Sequence, residues 1–142
     1  IAALLAQGLD GAVIGSRFLV SKEVEAHPAY KRHLVECDEH ATVAVLRSLG
    51  NTWRVLRNAT AEQVAALERD GARDYAAYGD LLDGRNTRDR CYRQGQWQHG
   101  MVSLGPSIAF ARRVEPLAEI VATLLAEAVA CFDSLDHRIR VK

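Results

Sequence analysis

The stretch Gly8-Leu9-Asp10-Gly11-Ala12-Val13-Ile14-Gly15-Ser16-Arg17-Phe18 decides how the chain is read. Ala12-Val13-Ile14 is a continuous apolar run, the pattern of a strand covered on both faces, and it leads straight into a Gly-Ser turn. Residues 1–7, Ile-Ala-Ala-Leu-Leu-Ala-Gln, read as a helix end. Gly8 suits its left-handed C-cap, a conformation that glycine takes without steric cost. Asp10-Gly11 then turns the chain into the strand. Helix, glycine turn and buried strand make one αβ step, which predicts an α/β fold. With no initiator methionine and no earlier element for that strand to pair with, the chain reads as the C-terminal portion of a larger protein.

The 142 residues are 49% hydrophobic and 25% charged, the composition of a soluble globular domain with a real core. Lys+Arg and Asp+Glu balance at 18 each, so no net field draws nucleic acid or anionic lipid. Apolar runs are broken by charge or glycine well before the roughly 20 residues that a membrane span needs, so no membrane segment is expected. Residues 1–7 also lack the basic n-region of a signal peptide, and a cytoplasmic location is expected. Cys37, Cys91 and Cys131 lie far apart without CxxC spacing, which predicts inert thiols rather than a disulfide framework. His27, His33, His40, His99 and His137 are equally dispersed. His33 and His40 can share a helix face, but no cysteine or carboxylate completes a ligand set, so no metal site is expected.

Further along, Pro28 can occupy the first turn of a helix with Tyr30, Leu34 and Cys37 inside and Lys31, Arg32 and Glu36 solvated. Thr42-Val43-Ala44-Val45-Leu46 and Trp53-Arg54-Val55-Leu56-Arg57, with Gly50-Asn51 between, have the composition of a hairpin, although the first can also continue a helix. Thr60 followed by Gln63 is a capping-box signature for a helix that buries Val64, Ala65 and Leu67 and stops before Gly71. Residues 74–94 are helix-prone but punctuated by Gly79 and Gly84, and Gly95 and Gly100 frame a loop around Trp97. A helix from Pro106 carries Ile108 and Phe110. A last one from Pro116 carries the best amphipathic stripe, Leu117, Ile120, Val121, Leu124, Leu125 and Ala128, before a polar tail over 133–142 that is expected to fray.

A strand ending in Gly-Ser offers chemistry as well as a turn. Gly15 has no Cβ to hold an anion away from the backbone N–H groups, and Ser16 adds a hydroxyl donor, so a phosphate fits such a corner. Phosphate binding at the C-terminal ends of late strands recurs in (β/α)8 barrels. A purely structural turn has the same residues, and local grammar leaves both readings open.

Taken together, the spaced motifs carry a resemblance. Gly8-x-Asp10-Gly11-x-Val13-x-Gly15-Ser16-Arg17-Phe18-Leu19 is followed by His27-Pro28-x-Tyr30-Lys31, Thr42, and Gly50-x-x-x-Arg54-Val55-Leu56-Arg57-Asn58. Gly95-x-Trp97-x-x-Gly100-Met101-Val102 and Glu115-Pro116-x-x-Glu119-Ile120-Val121 come next, in the expected order. This series resembles the nitronate monooxygenase family, formerly the 2-nitropropane dioxygenases, over about residues 1–130. The resemblance implies the C-terminal part of an FMN-binding (β/α)8 barrel, its last helix-strand step, followed by a mostly helical small domain. The implied division is 1–40 for the barrel end with the FMN-phosphate turn, 41–114 for the small domain, and 115–142 for a C-terminal helix and tail. It also implies that Ile14, Gly15 and Ser16 bind the flavin phosphate, Ser16 standing where the family more often has Thr.

Arg17 matches a basic position of the family and is read as a structural ion-pair partner rather than a catalytic group. The family's preceding Gly-Gly turn and its catalytic histidine are expected upstream of Ile1, so no catalytic residue is assigned here and none of the five histidines takes that role. His99 alone lies near a pocket-forming segment. Leu104-Gly105-Pro106 departs from a Gly followed by Gln, and Pro106 has neither a side-chain amide nor an N–H to give, while Gly105 still permits close approach. Trp97 and Phe110 are candidates both for a substrate cavity and for ordinary packing.

The implied activity is an FMN-dependent oxidation of a small-molecule alkyl nitronate with O₂. Two alternatives remain at this stage: a flavin-type enoyl-acyl carrier protein reductase, and a non-catalytic helical interaction domain.

Overall fold

A computed structural model describes residues 1–139, with the side chains at 136, 137 and 139 left aside. Helix α1 (Ala2–Ala6) ends as expected, with Gly8 at φ +85°. The Gly8 N–H bonds Leu5 O at 2.9 Å and the Leu9 N–H bonds Leu4 O at 3.2 Å, the paired bonds of a Schellman stop.

The next segment departs from the expectation. Residues 12–14 join no β-ladder, and Val13 is fully exposed. The apolar run has strand composition, but a strand exists only where a neighbour takes its N–H and C=O groups, and no described strand lies beside it.

A 3₁₀ turn over Ser16–Val20 leads to α2 (Pro28–Glu36), whose first turn is capped by the His27 Nδ1 accepting from the Ala29 N–H at 3.1 Å. Tyr30 and Leu34 are buried as expected, while Cys37 falls just past the helix end. Lys31 is not solvated. It is buried, and its Nζ donates to Ser21 O at 2.6 Å and Lys22 O at 3.3 Å. Its long stem lies along the core while the ammonium finds carbonyls, so charge alone misplaced it.

Strands β1 (Thr42–Val45) and β2 (Trp53–Leu56) form the expected antiparallel hairpin, in register Val43↔Val55 and Val45↔Trp53. Residues 101–104 flank β2 on its other side: Leu56 N–H bonds Val102 O at 2.8 Å and Leu104 N–H bonds Arg54 O at 3.3 Å. Helix α3 (Ala59–Arg69) follows, closed by Gly71 at φ +100°. Its cap is Asn58, not Thr60: the Asn58 Oδ1 accepts from Ala61 N–H at 2.8 Å. Thr60 lies inside the helix and is engaged with the 98–100 loop instead.

Residues Tyr75–Leu82 coil as 3₁₀ turns broken at Gly79 (φ 49°, ψ −136°), where glycine alone is unstrained. The short α4 (Gly84–Asn86) runs on into a π-helical stretch, Thr87–Arg93. A 3₁₀ turn, Pro106–Phe110, precedes α5 (Leu117–Ile139). Thus most of the expected 133–142 tail continues the helix, and 140–142 lie outside the described residues.

Two cores form on either side of β2, because successive strand residues point to opposite faces. Val45, Val55, Ala61, Val64, Tyr78 and Met101 fill one. Val20, Tyr30, Leu34, Leu56, Val102 and Ile108, with Cys91 and Leu104, fill the other. Val55 and Leu56 part this way, as do Met101 and Val102. The α5 stripe is split: Ile120 and Ala128 are buried, Leu124 is half-buried, and Leu117, Val121 and Leu125 remain exposed. The described chain is α/β, a two-stranded sheet among helices.

Candidate functional site

The Gly15-Ser16 turn is held in place from below by the start of α5. Arg17, buried, forms an ion pair with buried Glu115, whose other carboxylate oxygen accepts from Arg113 Nε at 2.8 Å. The Arg17 hydrogen bond, joined by that of Arg113, holds the Glu115 carboxyl below the usual carboxylate range. Lys22 N–H bonds Glu115 O at 2.9 Å, and Ser21 forms a parallel bridge with Glu115. The Glu23 carboxylate then accepts from Leu117 N–H at 2.8 Å and is held low by that bond first of all. Lys31 supports the same loop through Ser21 and Lys22, with burial pulling its ammonium below the ordinary lysine range. Arg17 thus takes the ion-pair role its sequence context suggests, with Nη2 on Glu115 and Nη1 buried without a hydrogen-bond partner among the described residues.

From above, the turn is held by residue 105. The Gly105 N–H donates to Ser16 Oγ at 2.7 Å. A Cβ on Gly105 would come within 3.3 Å of that oxygen, tighter than ordinary contact, so the missing side chain lets the two segments meet. Pro106 gives no N–H but starts the 3₁₀ turn that follows, where a missing donor costs nothing. The serine hydroxyl still has its own proton to donate. The first N–H groups of the Ser16–Val20 turn have no partner within it, because a helical turn leaves its leading donors unused. Beside them Gly15 is exposed, and a Cβ there would meet no atom within 4 Å. Ile14 is half-buried. The corner thus presents backbone donors and a hydroxyl around open space, a donor set suited to an oxyanion such as the terminal phosphate of a cofactor. It offers no acid or base of its own.

A separate cavity of about 620 Å³ lies between α3 and the 80–100 segment, lined among others by Thr60, Gln63, Asp83, Arg90 and His99. His99 thus does reach a pocket. Trp97 does not line it: its ring stacks on His33 with centroids 3.5 Å apart, packed against the first core. Burial depresses the His33 basicity accordingly. Phe110 is 70% exposed and does not line it either. The cysteines form no disulfide, and burial pushes the Cys37 and Cys91 thiols each up to about 11, which keeps them protonated and unreactive. No cluster of three or more His, Cys, Asp or Glu able to hold a metal occurs among the described residues.

Several anchoring residues escape sequence reasoning. Asn58, besides capping α3, donates from Nδ2 to Trp97 O at 2.8 Å and Gly100 O at 2.9 Å, tying the glycine loop to the strand end. Its place directly after β2 and before the helical run was a usable signal, masked by the more familiar Thr60-Gln63 pattern. Glu115, Glu23 and the Gly105 N–H carry no local signature, since their partners are distant in sequence.

Solved structures of FabK resemble this fold. FabK from Thermotoga maritima gives a TM-score of 0.81 and its methionine-to-alanine mutant 0.77, both at 25% sequence identity. Each alignment covers 97% of this chain but only 43% and 40% of those proteins, so the chain spans about two fifths of their length. Residues 1–127 match nitronate monooxygenase, and by that match over most of its length the chain belongs to the nitronate monooxygenase family.

Proposed function

We propose that this chain is the C-terminal portion of an FMN-dependent oxidoreductase that oxidises alkyl nitronates with O₂ in the cytoplasm. The observation that carries the reading is the Ser16 hydroxyl, set by Gly105 beside the open backbone of Gly15, within a segment that matches the family. Ile14, Gly15 and Ser16 would hold the FMN phosphate, as the last helix-strand step of a (β/α)8 barrel, with residues 41–114 as the small domain and 115–142 as its closing helix and tail. The likeness to FabK over two fifths of its length supports the barrel assignment. The redox chemistry would belong to the flavin; Ile14, Gly15 and Ser16 would bind its phosphate and fix its position. The Arg17–Glu115 pair and the Lys31 contacts keep the corner rigid.

In the longer protein, Gly15→Val should lower the flavin absorbance per protein, because a branched side chain fills the space a phosphate needs. Ser16→Ala should be milder, since a hydrogen bond to a charged group is worth about 1.5–3 kcal/mol. Unchanged flavin content in Gly15→Val would remove the phosphate assignment. The overlap with FabK over 97% of this chain supports a second reading, the flavin-type enoyl-acyl carrier protein reductase. O₂ uptake with a small alkyl nitronate, set against NAD(P)H oxidation with an enoyl thioester, separates the two.

A further inference from the structure

A groove of about 520 Å³ follows the outer side of β1, far in sequence from the Gly15-Ser16 corner. Its walls carry Arg47, Arg54, Arg57 and Arg69 but a single carboxylate, Glu68. That carboxylate is consumed within the fold, accepting from Leu46 N–H at 3.0 Å and Ser48 N–H at 2.6 Å. Arg54 Nη1 donates to Thr42 Oγ1 at 3.1 Å and Arg57 Nη2 reaches Thr42 O at 3.5 Å, so two guanidinium groups converge on one edge residue. Arg57 also pairs with Glu62 at 2.9 Å. Arg47, Arg54 and Arg69 have no ion-pair partner among the described residues, although the chain as a whole is neutral.

The same groove runs along a strand edge, where Thr42 is buried and Ala44 half-buried. β1 pairs only with β2 among the described residues, and the Arg57 N–H bond to Ala41 O at 2.9 Å fixes which residues face inward. In an antiparallel ladder the bonded pairs alternate, so 41, 43 and 45 turn their backbone groups to β2. Those of Thr42 and Ala44 turn to the groove. On β2, residues 54 and 56 bond the 101–104 segment in the opposite direction, which is consistent with that alternation.

We propose that this groove receives an extended, acidic polypeptide segment of a partner, added as a further strand on β1. An incoming strand finds the Ala44 main-chain groups and the Thr42 N–H turned away from β2, beside a Thr42 carbonyl that Arg57 already holds, and its carboxylates meet a lining rich in arginine. Arg54 on β2, Arg57 just past its end and Arg69 on α3 all line the groove. Guanidinium is the cation best matched to carboxylate by its planar, two-pronged donors.

The test is a short fluorescein-labelled peptide alternating glutamate and valine, titrated with the full chain and read by fluorescence anisotropy. Saturable binding is expected, weakened about tenfold or more by Arg47→Glu combined with Arg69→Glu, as reversal of interfacial charge does. Both side chains are exposed, so circular dichroism and the melting curve should not change. The same peptide N-methylated on alternate residues, unable to complete the ladder, should bind about tenfold more weakly or not at all. Absence of binding would mean that the arginines only guard the edge against aggregation, and the proposal fails. Equal affinity for the N-methylated peptide would show an unspecific positive field instead of a strand site, and an unchanged affinity in the arginine variant would place the peptide elsewhere; either result overturns it.

Discussion

Residues 12–14 and the strand β1 are built from much the same residues, alanine and β-branched side chains, yet the run and the hairpin that β1 forms with β2 have opposite fates in the fold. Val45 and Val55 are completely buried, whereas Val13 is completely exposed. The difference is the neighbour. β2 is bonded on one side by β1 and on the other by residues 101–104, and each face of that small sheet closes over its own core. The 12–14 run has no described strand beside it. Apolar composition supplies the tendency to be covered, but burial follows only when main-chain groups are paired, since an unpaired N–H or C=O cannot leave water cheaply.

The sharpest way to break this comparison is to empty one of the cores. Leu56→Ala, at a side chain 1% exposed on β2, should cost about 2–5 kcal/mol and lower the melting temperature by roughly 2–4 °C per kcal/mol. A melt within a degree of the parent would show that β2 does not organise the first core.

A second test concerns the clamp that gives the exposed N-terminal corner its position despite the unpaired run. Glu115→Gln removes the charge that pairs with Arg17, and a loss of about 1.5–3 kcal/mol is expected for a hydrogen bond between charged groups. The same pair makes stability depend on pH. Glu115 titrates lower in the fold than in the unfolded chain, so its contribution is complete above the ordinary glutamate range and is lost as pH falls through the depressed folded value. Urea melts from neutral pH into the acid range should converge for parent and Glu115→Gln at the acid end. Parallel curves throughout would show that the ion pair adds nothing.

The smallest effect belongs to the exposed run itself. Val13→Thr should change the stability of the isolated chain by no more than about 0.5 kcal/mol, as surface substitutions do. In a protein that supplies the flanking strands of the proposed barrel, the same substitution becomes costly, because the side chain then sits in a covered strand. Equal melting shifts in the two contexts would count against that assignment.

How far the molecule was legible depends on how local each signal is. The hairpin, the helix stops at Gly8 and Gly71, and the glycine-framed Trp97 loop are settled by residues within a few positions of one another, and all are present. The ion-pair role read for Arg17 is met in the fold. The partner itself, Glu115, lies 98 residues away. Local grammar placed the α3 cap at Thr60, but the backbone chose Asn58, the residue able to serve the helix N-terminus and the 97–100 loop at once. Lys31 was assigned to solvent by its charge, although its stem belongs to the core and its ammonium to two carbonyls.

By itself, the sequence determined the helix stops at Gly8 and Gly71, the turn between the two extended segments of the hairpin, and the family. These follow from backbone sterics, periodicity and motif spacing, which act over short distances or are read directly as a pattern. Only the tertiary structure decided which apolar residues are covered, that Ser16 is met by the Gly105 N–H, and that one carboxylate holds the phosphate-like corner to the start of α5. Those outcomes turn on pairs of groups far apart along the chain, whose encounter is set by how the two cores pack around β2 and not by any property of the residues taken singly.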